Sequence, residues 1–446
     1  MLSGFDNIST RQSASSIDTG NSLLPSLHDF QQAWSESKNT KSQALDQALP
    51  QLLIETREFS EPVLTTNFGI RAQSIMAKLD ASGTNEVTRD QLGMALQNHS
   101  FHGQELQVLA SLYENFDKLH DLSKHEWFFS QQTITASDLN ALQEIDNTVS
   151  TLTQNILNKP SAERSKLLTE LSNKDDYKLI SSVYETCRQV ALNGQFEGVS
   201  HLLYNGGAGE AIRPDAVHQG VIGDCYFEAV VASLAQSNPK AIANMIKDNA
   251  DGSFTVTFPG APDEPVTVTA PTEAELGLFN AGGSYGTWAS VLEKAYGKFR
   301  DNQNWFSNSV PQEAANSAGR AEPVIKLLTG KDATLTVLEN LDDRKAIADA
   351  LTKAFSSTPQ KIVSAAVHHR RTWSEWYNNV SLSSNSTDGF PEKHQYSILG
   401  FTPNGKGGGM VKIRNPWGGQ NGTTFGTIEV PLETFMRNFH DLSIEA

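Results

Sequence analysis

The sequence predicts an α+β protein, with an all-α N-terminal region preceding a core that has a helical half and a β-rich half. Three observations lead there. Segments between Asp138 and about Asn193 carry apolar residues at helical spacing. Two strong helical patterns follow, one opening at Cys225 and one over Trp288–Phe299. After Gly330 the period shortens to two, at Ala333–Val337, Ile362–Val367, His394–Phe401 and Met410–Arg414, which is the alternation of half-buried strands.

Residues 1 to about 25 are rich in Ser, Asn, Thr and Gly and read as a disordered tail. Residues 26–200 read as the helical region, with a weak pattern over Leu27–Phe59. Within it, Asp80–Gln91 resembles an EF-hand calcium loop, with Asp80 at loop position 1, Ser82 at 3, Thr84 at 5, Val87 at 8 and Gln91 at 12. Calcium prefers several carboxylates, a glycine at position 6 and a bidentate Glu at 12. Here Asn85 and Gln91 take those two places, so too little charge remains for tight binding. Leu112–Leu119 and Thr133–Leu142 echo the start and end of a second loop, which makes about 72–142 a degenerate EF-hand-like pair; a working calcium site and a plain helical bundle are the alternatives. Pro160 starts one later helix and Gly194 ends another. Cys187 lies on the latter between Val183 and Val190 and reads as structural. Gly206–Gly209 reads as a linker, because no Lys-Ser/Thr follows that would make it a phosphate loop.

The core opens on the most informative stretch, His218–Pro239. Tyr226, Ala229, Val230, Ser233 and Leu234 recur at helical spacing, and Asn238-Pro239 ends the run. Cys225 therefore sits in the first turn, where the helix dipole favours a thiolate. Gln219 lies six residues upstream, with an amide able to face the same point. A nucleophile at a helix N-terminus with an upstream Gln resembles the layout of papain-type cysteine peptidases, where the Gln helps hold the oxyanion. A buried structural cysteine is the bland alternative. A thiol nucleophile needs a base, and the base needs an orienting group. His394 opens a predicted strand. A glycine-rich turn and a second strand bring the chain back to Asn415-Pro416-Trp417-Gly418-Gly419. Such a hairpin sets Asn415 near His394, and Trp417 can shield their hydrogen bond from water. His368-His369-Arg370-Arg371 reads as a solvated loop, because adjacent residues on a strand face opposite ways.

These segments resemble the protease core of the calpain family of cysteine peptidases. QGVIGDCYFEAVVASLA resembles its nucleophile motif, WASVLEKAYGKF the helix between nucleophile and base, VIKLLTG the opening of the second half, KHQYSILGF the histidine strand and VKIRNPWGG the asparagine turn. The final GTIEVPLETFMRNFHDLSIEA resembles the closing strand and helix. The resemblance covers 211–446, with a first half at 211–320 and a second at 321–446. It implies a papain-like fold, Cys225 as nucleophile, His394 as general base and acid, Asn415 as orienter, Gln219 in the oxyanion hole and Trp417 as shield. Several positions depart from the family pattern. Glu228 stands where the Cys helix is usually apolar, and Lys393 where a glycine usually precedes the His. Animal calpains carry two calcium sites in the core. The upstream carboxylate of the first falls on Ala216, with Asp215 beside it, while Glu293 matches its other acidic ligand or is simply structural in that helix; the acidic residues of the second are replaced by Gly419, Gln420, Asn421, Phe425 and Thr427. These losses argue against calcium activation by the animal mechanism; no cofactor is expected, and calcium is the one candidate left open.

Composition bounds the partners. The net charge of −16 argues against nucleic acid and anionic membranes. No apolar run reaches the ~18 residues a membrane helix needs, so integral membrane contact is not expected. The two cysteines provide no disulfide framework, which fits a reducing compartment. The N-terminus shows no secretory pattern. The expected location is the cytoplasm, or the exterior reached without a signal peptide. Protein substrates are the expected partners, and the oligomeric state is left open. Two other functions compete with peptide hydrolysis. One is acyl transfer to an amine as in transglutaminases, which use Asp as the third member. The other is a catalytically silent binding module.

Overall fold

A computed structural model describes residues 64, 67–123, 132–194, 202–280, 285–303, 310–316, 319–338, 343–367, 390–391, 393–418 and 426–446. The expected N-terminal tail, the Leu27–Phe59 helices and His368–Arg371 lie outside the described residues.

The N-terminal region is helical, as its periodicity predicts. Helix α1 (Phe68–Leu79) leads into a turn at Asp80 and a short strand β1 (Glu86–Thr88), followed by α2 (Arg89–Leu96). Helices α3 (Gly103–Glu114) and α4 (Phe116–Leu119) precede strand β2 (Thr133–Thr135) and the long α5 (Ala136–Leu157). Strands β1 and β2 pair antiparallel, with Val87 opposite Ile134, and both side chains are fully buried. The helix after each strand begins at a capping box, Thr88 with Gln91 and Thr135 with Asp138, which satisfies otherwise orphaned N–H groups. Helices α6 (Ser161–Ser172) and α7 (Asp175–Gly194) complete the region.

Gly207, at φ +95°, starts the short α8 (Ala208–Ala211), so the expected linker carries a helical turn. Helix α9 (Cys225–Ser237) stops at Asn238. Asn238 Oδ1 accepts the Ala241 N–H, and Pro239 opens α10 (Pro239–Met245), so one dipeptide ends a helix and starts the next. A three-stranded antiparallel sheet follows, β3 (Ile246–Asp248), β4 (Ser253–Val256) and β5 (Val266–Thr269), then α11 (Glu273–Leu278) and α12 (Trp288–Asn302).

The remainder is built on a six-stranded antiparallel sheet flanked by α13 (Ala321–Thr329), α14 (Arg344–Ser356) and α15 (Leu432–Asn438). Its strands are β6 (Ala333–Val337), β7 (Val363–Val367), β8 (His394–Pro403), β9 (Gly409–Arg414), β10 (Thr427–Pro431) and β11 (Asp441–Glu445), in the spatial order β10-β9-β8-β7-β11-β6. The C-terminal β11 lies between β7 and β6. The closing segment is thus strand, helix and a second, interior strand, one more than the sequence reading singled out.

Apolar packing divides differently from the chain. One buried cluster runs from the N-terminal helices through α9, α12 and α13, and a second fills the space between the large sheet, α14 and α15. Two serines fasten α9 to the sheet: the Ser397 hydroxyl donates to Ala229 O at 2.8 Å, and the Ser233 hydroxyl to Val363 O at 3.0 Å. The N-terminal region sits on α11. There the Thr272 hydroxyl donates to Leu96 O at 2.5 Å, and Gly277 faces Val190 so closely that a Cβ would lie 3.0 Å from its Cγ1.

Candidate active site

Cys225 is the first residue of α9 and is half-buried. Across from it, His394 is the first residue of β8 and is 5 % exposed. The residue before His394, Lys393, has φ +53°, a left-handed conformation that costs an L side chain about 1 kcal/mol. That explains why a glycine suits the position and shows that this chain holds the same turn without one. Asn415 follows directly on β9 and is 2 % exposed. Its Oδ1 lies 2.9 Å from His394 Nε2 and accepts the Trp417 backbone N–H at 3.0 Å.

That second contact fixes the chemistry. A backbone N–H can only donate, so the Asn415 atom it meets is the oxygen. His394 Nε2 must then carry the proton, which leaves Nδ1 bare as the basic nitrogen. The Trp417 ring covers the imidazole at a centroid distance of 4.2 Å and 36°, and Tyr396 meets it edge-on at 4.9 Å. Burial pushes the imidazole down to about 4, against the pull of Asn415.

The thiol departs from expectation. Burial pushes Cys225 up to about 11, the Asp224 carboxyl adds to the rise, and the Gln395 backbone N–H opposes it. Loss of water outweighs the helix dipole here and disfavours both the thiolate and the imidazolium, and no hydrogen bond joins the two side chains.

Gln219 is 8 % exposed, and its Nε2 donates to Ile222 O at 2.7 Å. Its backbone N–H donates to Pro416 O at 2.9 Å, which ties the upstream loop to the asparagine turn. Arg414 strengthens the same seam: its Nη2 donates to Val217 O at 2.5 Å, and it is 2 % exposed. His218 packs against Gly418 (φ +69°), where a Cβ would come within 2.2 Å of its Nδ1. The structure therefore gathers Gln219, Cys225, His394, Asn415 and Trp417 around one seam between the two halves. His218 and Arg414 brace that seam and were not singled out by sequence; only adjacency to the motifs marks them.

Behind the nucleophile, three carboxyls cluster: Asp224, Glu228 and Glu293 offer oxygens within 4.8 Å of one another, and they are 0, 1 and 1 % exposed. Burial pushes Asp224 up to about 7 and the two glutamates well above their usual range. The calcium positions of the animal calpains fare differently. Ala216 is fully buried among apolar residues, Asp215 pairs instead with Arg213 at 3.0 Å, and Thr427 sits in the β10–β9 ladder. Of the first animal calcium site, Ala216 supplies no carboxylate, whereas Glu293 keeps its acidic position, buried on α12; Gly419–Asn421 and Phe425 lie outside the described residues.

Comparison with known families gives one match: the model of the calpain family of cysteine proteases matches residues 207–424. No curated protein matches the chain. No helix among the described residues is long and apolar enough to cross a membrane.

Proposed function

Residues 207–424 belong to the calpain family of cysteine proteases, and from that premise we propose that this chain is a cysteine endopeptidase acting through Cys225, His394 and Asn415. The observation that carries the reading is the buried His394 Nε2···Asn415 Oδ1 contact, whose polarity is set by the Trp417 N–H. It leaves Nδ1 to take the Cys225 proton. The resulting thiolate attacks the peptide carbonyl and forms a C–S bond. The Cys225 backbone N–H and the Gln219 amide hold the oxyanion. The imidazolium returns its proton to the leaving amine, and water activated by Nδ1 hydrolyses the thioester. Asn415 keeps the imidazole in one tautomer throughout, and Trp417 keeps water from that contact.

The thiol and imidazole, which share no hydrogen bond, define a resting arrangement. Catalysis requires them to approach to hydrogen-bonding distance, with substrate supplying the contact energy. The N-terminal region, with its paired helix–strand–helix units, serves as a regulatory module seated on α11. The absent thiol–imidazole hydrogen bond also favours a second reading, a catalytically silent binding protein. Full-length protein incubated with casein, in calcium and in chelator, beside Cys225→Ala, separates the two. Cleavage that Cys225→Ala abolishes supports the peptidase. No cleavage in either condition favours the silent protein. Incorporation of an amine donor in place of hydrolysis would indicate acyl transfer.

A further inference from the structure

On the reading of this chain as a peptidase, we infer that Asn316 is a positioning residue for the oxyanion site, and that the N-terminal region holds it there through Arg89 and Glu313. The peptide unit between Ile222 and Gly223 is gripped at both ends. Gln219 Nε2 donates to its carbonyl at 2.7 Å, and its N–H donates to Asn316 Oδ1 at 2.9 Å. A trans peptide is planar, with its C=O and N–H pointing opposite ways. Fixing the N–H therefore fixes the carbonyl on which the Gln219 amide is anchored. Without Asn316 the plane can turn, and Gln219 loses its anchor. Only Asp224 separates this unit from Cys225, so the same plane sets where the Cys225 backbone N–H lies. Both donors of the oxyanion site thus depend on it.

Asn316 is itself placed by Glu313. It closes the short 3-10 turn Pro311–Ala315. Its N–H donates to Glu313 O at 3.0 Å and its Nδ2 to Glu313 Oε2 at 3.4 Å, which turns the amide oxygen toward Gly223. The other carboxylate oxygen, Oε1, faces Arg89 Nη2 at 3.6 Å, and the Tyr113 hydroxyl donates to the same carboxylate. Arg89 is the first residue of α2, with its guanidinium over the Tyr113 ring at 5.0 Å. One carboxylate therefore joins the N-terminal region to the nucleophile loop. Arg89 is also the cation beside Glu114 and Asp117, so its loss would leave Glu313 facing like charges and push it out of place. The turn is seated on the core from two further sides. The Tyr226 hydroxyl donates to Ala315 O at 3.0 Å, and Gln312 Nε2 donates to Glu275 Oε1 at 3.2 Å. Glu275 belongs to α11, the helix on which the N-terminal region sits.

The test compares Asn316→Leu, Asn316→Asp, Arg89→Met and the double variant of Arg89→Met with Asn316→Leu, all in the full chain. Three quantities are read: kcat and KM on a casein-derived peptide, alkylation of Cys225 by iodoacetamide, and hydrogen exchange of the amides of 219–225. Asn316→Leu keeps the size and loses the acceptor, so kcat should fall at least about fivefold with KM within about twofold. Alkylation should stay within about twofold, because it forms no oxyanion; a general loosening of the fold would change both. Asn316→Asp retains an oxygen and should exceed Asn316→Leu in kcat by about threefold. Arg89→Met should lower kcat about threefold, and the double variant should fall no further than Asn316→Leu, because both act on one peptide plane. Exchange of 219–225 should quicken at least about threefold in Asn316→Leu and in Arg89→Met, with β8 and β9 unchanged. That readout needs no catalysis: an unsubstituted chain that cleaves nothing, with variants that show this exchange, would end the peptidase reading and keep the positioning. Unchanged kcat and unchanged exchange in the variants would overturn the proposal. So would losses that multiply in the double variant, which would put Arg89 on another path. Should Asn316→Leu not fold, Asn316→Ala is read the same way.

Discussion

Asp80 and Asp224 are both aspartates at loop–helix junctions, and their surroundings are opposite. Asp80 is partly exposed and surrounded by donors: Ser82 Oγ at 2.7 Å, Thr84 N at 3.2 Å and Asn85 N at 2.6 Å. These hydrogen bonds, that of Ser82 foremost, hold its carboxyl down at about 2. Asp224 is fully buried, its carboxyl meets only Gln219 and the Glu293 carboxyl, and burial pushes it up to about 7. The Asp80 loop has the look of a metal loop in sequence, yet its own hydroxyls and amides occupy the carboxylate. Gln91, at the twelfth loop position, turns back to accept the Thr88 N–H at 2.8 Å. The contrast teaches that a loop's spacing reports its turn, whereas an acid's need for a partner is set by the elements that bury it.

The largest test of the contrast is catalytic. Cys225→Ala and His394→Ala are each expected to lower casein hydrolysis by about 10³-fold or more, while Asp80→Asn leaves the rate within about twofold. An equal loss from Asp80→Asn would mean that the exposed loop governs the site. Next comes stability. Lys294 and Glu275, 1 % exposed each, pair at 2.8 Å, whereas Lys78 and Glu105 pair in the open. Lys294→Met should cost about 3 kcal/mol or more in denaturant unfolding, because Glu275 is left charged in the interior. Lys78→Met should cost under about 1 kcal/mol, and similar losses from the two would erase the distinction.

Asn415→Ala removes the acceptor of both His394 Nε2 and the Trp417 N–H. A buried hydrogen bond worth about 1–3 kcal/mol predicts a fall in kcat of roughly 10- to 100-fold, with KM nearly unchanged. A change in KM alone would assign Asn415 to substrate binding. pH offers a finer probe. Burial holds His394 and His218 at about 4, below the ordinary value of 6.5. The unfolded chain therefore takes up protons first as pH falls, and stability is lost between about pH 6.5 and 4. The slope approaches about 1.4 kcal/mol per pH unit for each histidine. Asn415→Ala should leave this slope in place, and His394→Gln should reduce it. Smallest is Lys393→Gly, which relieves the left-handed strain at φ +53°. It should raise stability by no more than about 1 kcal/mol, since the gain is offset by glycine's freedom in the unfolded chain.

What the sequence showed, it showed through local rules. The Cys225 helix begins and ends where the apolar spacing and Asn238-Pro239 place it, and β6 spans the residues that alternation marks. His394 and Asn415 could be paired in advance because a short glycine-rich hairpin joins their strands. The acidic cluster could not. Asp224 and Glu228 share a helical face by spacing, but Glu293 arrives from another helix, and only packing decides that they meet. The thiol illustrates the same limit. Its position at a helix start is local and points to a thiolate, while its desolvation depends on β8, which lies far along the chain. The interior position of β11 is likewise a matter of sheet order, on which alternation is silent.

The Thr272 hydroxyl that meets Leu96 O reaches across 176 positions of chain, and Gly277 leaves room there for Val190 alone. Anyone wishing to work with the protease half by itself inherits that seat. A cut near Gly194 would strip the cover from α11 and open the apolar cluster that also backs the nucleophile helix. Solubility of such a fragment then becomes a matter of what replaces the missing helices. The boundary at which the family begins, in other words, is not the boundary at which the molecule comes apart.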